Sequence, residues 1–119
     1  AYEPIDDIDK ISCRPDFGIL AYSGYFKTAD GKLSPTIREE PATPPLFLVH
    51  AWDDPISNVN NTVIMYQAMK KAGVSVEMHL YATGGHGFAV RKVGQPVENW
   101  TVPCVEWLRG LGMLPAAGK

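Results

Sequence analysis

Apolar residues are concentrated in three short segments of the chain, and each segment has the pattern of a β-strand. Residues 17–22 are a short apolar run bounded by turn-forming residues, which is typical of a buried strand inside a parallel sheet. Pro44 and Pro45 precede a second apolar strand, which is predicted over residues 46–50. Residues 74–81 alternate between apolar and polar positions, which predicts a strand with one polar face.

A first helix is predicted over residues 58–72, where apolar side chains recur at helical spacing. Ser57 or Asn58 can cap its beginning, and Gly73 follows it at a position that commonly needs a left-handed backbone. The residues of the predicted apolar stripe are Thr62, Met65, Tyr66, Met69 and Ala72.

A second helix is predicted from about Glu98 to Gly110. Pro103 fits only if it lies in the first turn, because proline lacks the N–H that an inner turn requires. The residues expected on the inner side of this helix are Cys104, Trp107, Leu108 and Leu111.

The order of these elements predicts the fold class. Strand, long loop, strand, helix, strand, loop and helix form a βαβ pattern, which implies an α/β fold with a parallel sheet and helices on its faces. Residues 1–16, 23–45, 82–97 and 112–119 are expected to be irregular. The run 17–22 is apolar on both faces and should have neighbours on both sides. The chain therefore resembles a part of a larger sheet.

Composition narrows the classes of function. The chain has 119 residues, enough for one small domain, and 45% of them are hydrophobic. A net charge of −2 and a pI near 5.9 predict neither nucleic acid nor an anionic membrane as a partner. No apolar run approaches the roughly 20 residues of a membrane span. The chain starts at Ala1 rather than methionine, so a processed or partial chain is expected, and its localisation stays undetermined.

The two cysteines, Cys13 and Cys104, match neither a zinc site nor a disulfide framework. We expect two partly buried thiols, and no cofactor is implied.

His86 is the first candidate for chemistry. It lies in a glycine-rich turn, Gly84-Gly85-His86-Gly87, directly after the third predicted strand. Glycines allow unusual backbone angles and add no bulk, so this histidine can point into a cleft. The alternative is a surface histidine on a mobile loop.

Asp54 is the second candidate, four residues after His50 at the end of the second predicted strand. Ligands of open α/β sheets bind at the carboxyl ends of the strands. There Asp54 could accept a hydrogen bond from His86 and fix its tautomer. An aspartate followed by a histidine is the order of the last two members of a Ser…Asp…His triad. The alternative is that Asp53-Asp54-Pro55 is only a turn.

The remaining candidates are weaker. Ser23 follows the first predicted strand, but bulky residues flank it and no helix follows, so it does not fit a nucleophile elbow. Gly-x-Ser-x-Gly does not occur in the chain. His50 is expected to order the loop after its strand, and His79 to be exposed or packed under a helix. A metal site built from His50, Asp54, His79 and His86 stays an alternative, although the spacing supports no known motif.

These segments together resemble the α/β-hydrolase superfamily. The similarity is greatest to its acetyl-esterase and dienelactone-hydrolase-like branch, which lies near the prolyl-oligopeptidase-like peptidases. The matching stretches extend over residues 14–110, and they are 14–17, 44–55, 65–74, 77–81, 84–88 and 107–108. In that family the acid lies in a His-x-x-x-Asp pattern, which implies Asp54 rather than Asp53, and the catalytic histidine matches His86.

The resemblance also implies how much of a domain is present. Residues 1–119 would be the C-terminal portion of a single α/β-hydrolase domain, with the N-terminal half of its sheet and its serine elbow upstream of Ala1. The function implied is a serine-type ester hydrolase, with an acetylated carbohydrate as an example of its small ester substrate. The chain alone is expected to be inactive. Its implied partner is the other half of the domain, or a second copy that pairs through the exposed sheet edge. A prolyl-oligopeptidase-like peptidase and a non-catalytic interaction fragment are the alternatives.

Overall fold

The computed structural model describes residues 3–118 and contains one sheet of three parallel strands. The strands are β1 (Gly18–Ala21), β2 (Leu46–Ala51) and β3 (Val76–Tyr81), in the order β1-β2-β3. Gly18 is paired with Leu46 in the first ladder, and Leu46 with Val76 in the second. The predicted fold class, a partial parallel α/β sheet with flanking helices, is confirmed.

The core is organised around β2, whose six residues are all buried. This strand has a neighbour on each side and a helix on each face. Leu46 and Leu48 pack with helix α1 (Asn60–Lys71). Phe47 and Val49 pack with helix α2 (Thr101–Gly110). A continuous apolar run is therefore the pattern that this position requires.

Helix α1 forms where the apolar stripe predicts it. Thr62, Met65 and Met69 are buried, and Tyr66 and Ala72 pack against the same cluster. The expected cap at Ser57 or Asn58 is wrong, because the helix begins after Val59, which makes no side-chain capping hydrogen bond. The side chain of Asn58 accepts a hydrogen bond from the N–H of Asn60 (2.9 Å), the first residue of the helix.

The C-terminal end of α1 closes in a Schellman motif. Gly73 has φ +79°, and the N–H of Val74 donates to the carbonyl of Met69 (2.9 Å). Because Gly73 and Val74 complete this cap, β3 begins at Val76 rather than at residue 74.

The second predicted helix is divided. A 3-10 turn (Pro96–Asn99) precedes α2, because Pro103 cannot donate to the carbonyl of Asn99 and its ring crowds that carbonyl. Pro103 thus lies in the first turn of α2, as predicted. Cys104 and Trp107 are buried on its inner side, and Leu108 and Leu111 pack against them.

Other details differ from the sequence-based expectations. Strand β1 is shorter than the run 17–22, because Tyr22 has a left-handed backbone (φ +41°). The polar face of β3 is half-buried, and His79 stacks on Phe47 with ring centroids 5.1 Å apart. Cys13 is exposed rather than partly buried, while Cys104 is buried. The expected irregular ends include residues 1, 2 and 119, which lie outside the described residues.

The parallel register brings the carboxyl ends of the strands together. Ala21 is paired with Val49, and Ala51 with Tyr81, so the loops after the three strands leave from one edge of the sheet. The candidate residues lie on these loops. At the other side of β1 no strand is paired within residues 3–118.

Within the described part of the chain, no helix has the length and apolar character that a membrane span requires.

Candidate active site

Asp54 and His86 meet at the carboxyl edge of the sheet. His86 Nδ1 lies 2.8 Å from Asp54 Oδ2, although 32 residues separate them in the chain. The Asp54 side chain is fully buried, whereas 34% of the His86 side chain is exposed. The structure thus brings together the two residues that the sequence analysis singled out, and the Asp53-Asp54-Pro55 segment is more than a turn.

Four N–H groups surround the Asp54 carboxylate. Oδ1 accepts from the backbone of Ile56 and Ser57 (2.8 Å each). Oδ2 accepts from His86 (2.8 Å) and from His50 Nε2 (3.0 Å). The four acceptor positions of the carboxylate are therefore all used.

These hydrogen bonds keep Asp54 ionised. Burial raises the pKa of the carboxyl, but the donors outweigh burial and hold that pKa below its ordinary value of 3.8. Because the pKa is lowered on folding, this carboxylate contributes stability above its ordinary pKa. The contribution is lost as the pH falls through the lowered value.

The charge on Asp54 fixes the tautomer of His86. A carboxylate can only accept, so Nδ1 carries the proton and Nε2 keeps a free lone pair. Within residues 3–118, no hydrogen-bond partner occupies Nε2. This imidazole can therefore accept a proton from a group placed beside it.

Aromatic packing and the neighbouring loop orient His86. The Tyr22 ring lies edge-on against His86 and against Phe88, with centroids 4.9 Å apart in both pairs. Asp53 Oδ1 accepts from the N–H of Gly85 (2.8 Å). Asp53 thus binds the backbone of the loop that carries His86, whereas Asp54 contacts the His86 side chain itself.

A cleft of about 470 Å³ opens beside His86. It lies between the loop that follows β1 and the segment that leads into α1. Tyr22 and Tyr25 both border it with left-handed backbones (φ +41° and +64°). Such conformations are costly for these residues and cluster at functional sites. The size of the cleft is within the range of small-molecule sites.

The other candidates have different surroundings. The Ser23 carbonyl accepts from Ser57 Oγ (2.7 Å), and within the described chain no hydrogen bond joins the Ser23 hydroxyl to His86. His79 hydrogen-bonds Glu77 (2.8 Å) and stacks on Phe47, which packs against Trp107 of α2. Residues 3–118 contain no group of three His, Cys, Asp or Glu side chains arranged to hold a metal ion. His50, Asp54 and His86 are instead linked by hydrogen bonds.

The contacts of His50 Nε2 with Asp54 and the Ser57 carbonyl agree with the expectation that His50 orders the loop after its strand. Sequence reasoning did not foresee the direct contact of His50 with Asp54, nor the roles of Tyr22 and Asp53. His50 contacts Asp54 directly, Tyr22 packs on His86, and Asp53 binds the histidine loop. Two signals were present for His50. It is a polar residue at the end of an otherwise apolar buried strand, and it is the histidine of the His-x-x-x-Asp pattern that ends in Asp54. The contacts of Tyr22 and Asp53 span distant parts of the chain and left no local pattern.

The glycines before His86 provide a test of how the loop is held. A Cβ at Gly84 would lie 2.8 Å from Val97 Cγ1 and 3.1 Å from Ala51 Cβ, whereas a Cβ at Gly85 meets nothing within 4 Å. In the complete protein, Gly84→Ala should lower the free energy of unfolding by about 3 kcal/mol, through overpacking and strain. Gly85→Ala, which has positive φ but free space, should cost about 1 kcal/mol. Urea denaturation measures both, and equal losses would mean that the contacts of Gly84 do not matter.

Most of the chain, residues 21–109, matches the model of the prolyl oligopeptidase family. No curated protein sequence matches the chain.

Solved structures share its fold. An acetyl ester-xyloside bifunctional hydrolase from Caldicellulosiruptor lactoaceticus is 27% identical, with a TM-score of 0.81, over 95% of this chain and 48% of its own. An esterase from Thermogutta terrifontis is 20% identical, with a TM-score of 0.78, over 98% of this chain and 50% of its own. An acylaminoacyl peptidase is 18% identical, with a TM-score of 0.61, over 82% of this chain and 20% of its own.

The predicted resemblance to the α/β-hydrolase superfamily is thereby confirmed. The chain spans about half the length of the first two of these structures.

Proposed function

Because this chain belongs to the prolyl oligopeptidase family, we propose that it is the C-terminal part of a single α/β-hydrolase domain that hydrolyses small carboxylic esters. The remaining part of the domain would supply the other strands of the sheet, the nucleophilic serine and the oxyanion hole. The coverage of about half of each similar esterase supports this division. No cofactor is needed for this chemistry.

The hydrogen bond between Asp54 and His86 is the observation that carries the proposal. A serine hydroxyl placed near His86 Nε2 gives its proton to that nitrogen while its oxygen attacks the ester carbonyl. The imidazolium then gives the proton to the leaving alcohol, and the acyl group stays on the serine. Water then attacks the acyl group while His86 takes a proton from it, and the imidazolium returns that proton to the serine oxygen as the carboxylic acid is released. Asp54 orients His86 and stabilises the imidazolium throughout.

The proposed substrate is a small acyl ester, such as an acetyl group on a carbohydrate. The 470 Å³ cleft beside His86 can hold a sugar-sized alcohol. The Caldicellulosiruptor lactoaceticus protein, at 27% identity, is named as an acetyl ester-xyloside hydrolase, which supports this class. Tyr25 at the edge of the cleft, 94% exposed, offers an aromatic surface to such an alcohol.

A peptidase is the second candidate, and the family match favours it. The same histidine and aspartate would activate serine against an amide rather than an ester. Comparing kcat/KM for p-nitrophenyl acetate with that for aminoacyl p-nitroanilides separates the two. An ester hydrolase of the proposed kind should favour the acetate by orders of magnitude.

The nucleophile is the most direct test of the proposal. The complete protein should react with a fluorophosphonate at one serine, located upstream of this chain in a Gly-x-Ser-x-Gly that follows an apolar strand. Peptide mass spectrometry identifies the labelled residue, and prior incubation with substrate should slow the labelling. A protein that does not react supports a non-catalytic interaction fragment instead. A label on Ser23 would contradict the proposed division of the domain.

A further inference from the structure

Asp54 shares one carboxylate oxygen between two histidines. His86 Nδ1 and His50 Nε2 both lie within hydrogen-bond distance of Oδ2 (2.8 and 3.0 Å). His50 Nε2 is also 3.0 Å from the carbonyl oxygen of Ser57. A carboxylate and a carbonyl can only accept, so His50 Nε2 carries a proton and donates it towards both.

The other nitrogen of His50 is bound from helix α1. Thr62 Oγ1 lies 2.7 Å from Nδ1, and both residues are buried. With the hydroxyl as donor, the neutral imidazole has a partner for each nitrogen, and its tautomer is the one that Asp54 requires. A single buried line of contacts therefore runs from Thr62 through His50 and Asp54 to His86.

The position of His50 in β2 indicates that its side chain serves the site rather than the apolar core. Leu46 and Leu48 precede it on the same face of β2 and pack in the apolar core. A further aliphatic residue would fit that pattern. A buried polar group stabilises a fold only when its hydrogen bonds are made, and here they are directed at Asp54 and at the loop that holds it.

We propose that His50 is a positioning residue for hydrolysis, acting through Asp54, and this rests on the proposed function. Ile56 and Ser57 fix Oδ1 through their backbone N–H groups, and His50 fixes Oδ2. With both oxygens held, the carboxylate cannot rotate away from His86 as the imidazolium forms. No proton moves between His50 and Asp54; the role of His50 is geometric.

The test compares variants of the complete protein, with active sites counted by stoichiometric reaction with a fluorophosphonate. His50→Leu removes the donor but keeps the side-chain volume, and it should lower kcat per titrated site by on the order of 10- to 100-fold, with KM changed little. His50→Gln can place an N–H near the position of Nε2 and should recover most of that loss. The matched control is His79→Leu, which removes a strand histidine that is bonded to Glu77 away from the site. Its kcat per site should stay within about twofold of wild type.

Thr62→Val covers the case in which His50→Leu does not fold. It removes only the hydroxyl that fixes the tautomer of His50 and should lower kcat per site by on the order of 3- to 10-fold. A purely structural role would reduce the number of titrated sites and the melting temperature while leaving kcat per site unchanged. That result, in His50→Leu or in Thr62→Val, overturns the proposal. If the wild-type protein itself does not react with the fluorophosphonate, the proposed function fails and this inference fails with it.

Discussion

His86→Ala and Asp54→Asn should each lower kcat of the complete protein by on the order of 10³-fold or more. Under the proposed mechanism, the protein without His86 has no group beside the cleft to take the proton of the serine. With asparagine at position 54, an amide N–H₂ or a neutral oxygen faces the two histidine donors. The wrong tautomer of His86 is then favoured, and the imidazolium loses its counter-charge. Steady-state kinetics with p-nitrophenyl acetate measures both effects.

Asp53→Asn is the matched control for Asp54→Asn. Its carboxylate accepts one bond, from the N–H of Gly85 (2.8 Å), and an asparagine oxygen can accept the same bond. We therefore expect kcat to fall far less than in Asp54→Asn. If Asp53→Asn is the more damaging substitution, the assignment of the acid is displaced by one residue. Circular dichroism of each variant shows whether the fold is kept.

The second large effect is the expected loss of ester hydrolysis when the chain is tested alone. The 119 residues alone should show no turnover of p-nitrophenyl acetate above that of free imidazole. The structure places no hydroxyl in hydrogen-bond contact with His86 Nε2 within residues 3–118, so the histidine has nothing to activate. Adding the upstream part of the protein, by co-expression, should restore turnover. If turnover by the chain alone disappears in Ser23→Ala, Ser23 is the nucleophile and the division of the domain is wrong.

The isolated chain should also associate or be poorly stable. Strand β1 has an unpaired edge in the described part of the chain, and Ile19 on it is 37% exposed. Trp52 and Ile56 beside the site are 74% and 76% exposed. Open edges and apolar surface favour pairing with another chain. Light scattering after size exclusion and ANS fluorescence measure this, and a monomer that melts cooperatively would contradict it.

The elements of the fold follow from local sequence. The apolar residues Leu46–Val49 predicted a strand, and this segment became the central strand β2. The apolar stripe and the left-handed glycine of α1 are both set by residues within a few positions of each other. Local sequence was therefore enough to predict this helix and its end. Asp54 and His86 could be predicted as a pair, because parallel strands bring the loops at their carboxyl ends to one edge. The family resemblance separated Asp54 from Asp53.

The details that depend on distant contacts could not be predicted in this way. Strand β1 ends before Tyr22 because that residue adopts a left-handed backbone and packs its ring on His86, far along the chain. Asp53 binds Gly85 across 32 residues. The partners of His50 on α1 and at Ser57 are set by how the helix lies on the sheet. The spacing of apolar residues shows which side chains are buried. That spacing was enough to predict the strands, the helices and the edge of the sheet where the site lies. A hydrogen bond between segments far apart in the chain forms only when donor and acceptor are placed to within a few tenths of an ångström. Only the packed tertiary structure decided that two histidines share one aspartate.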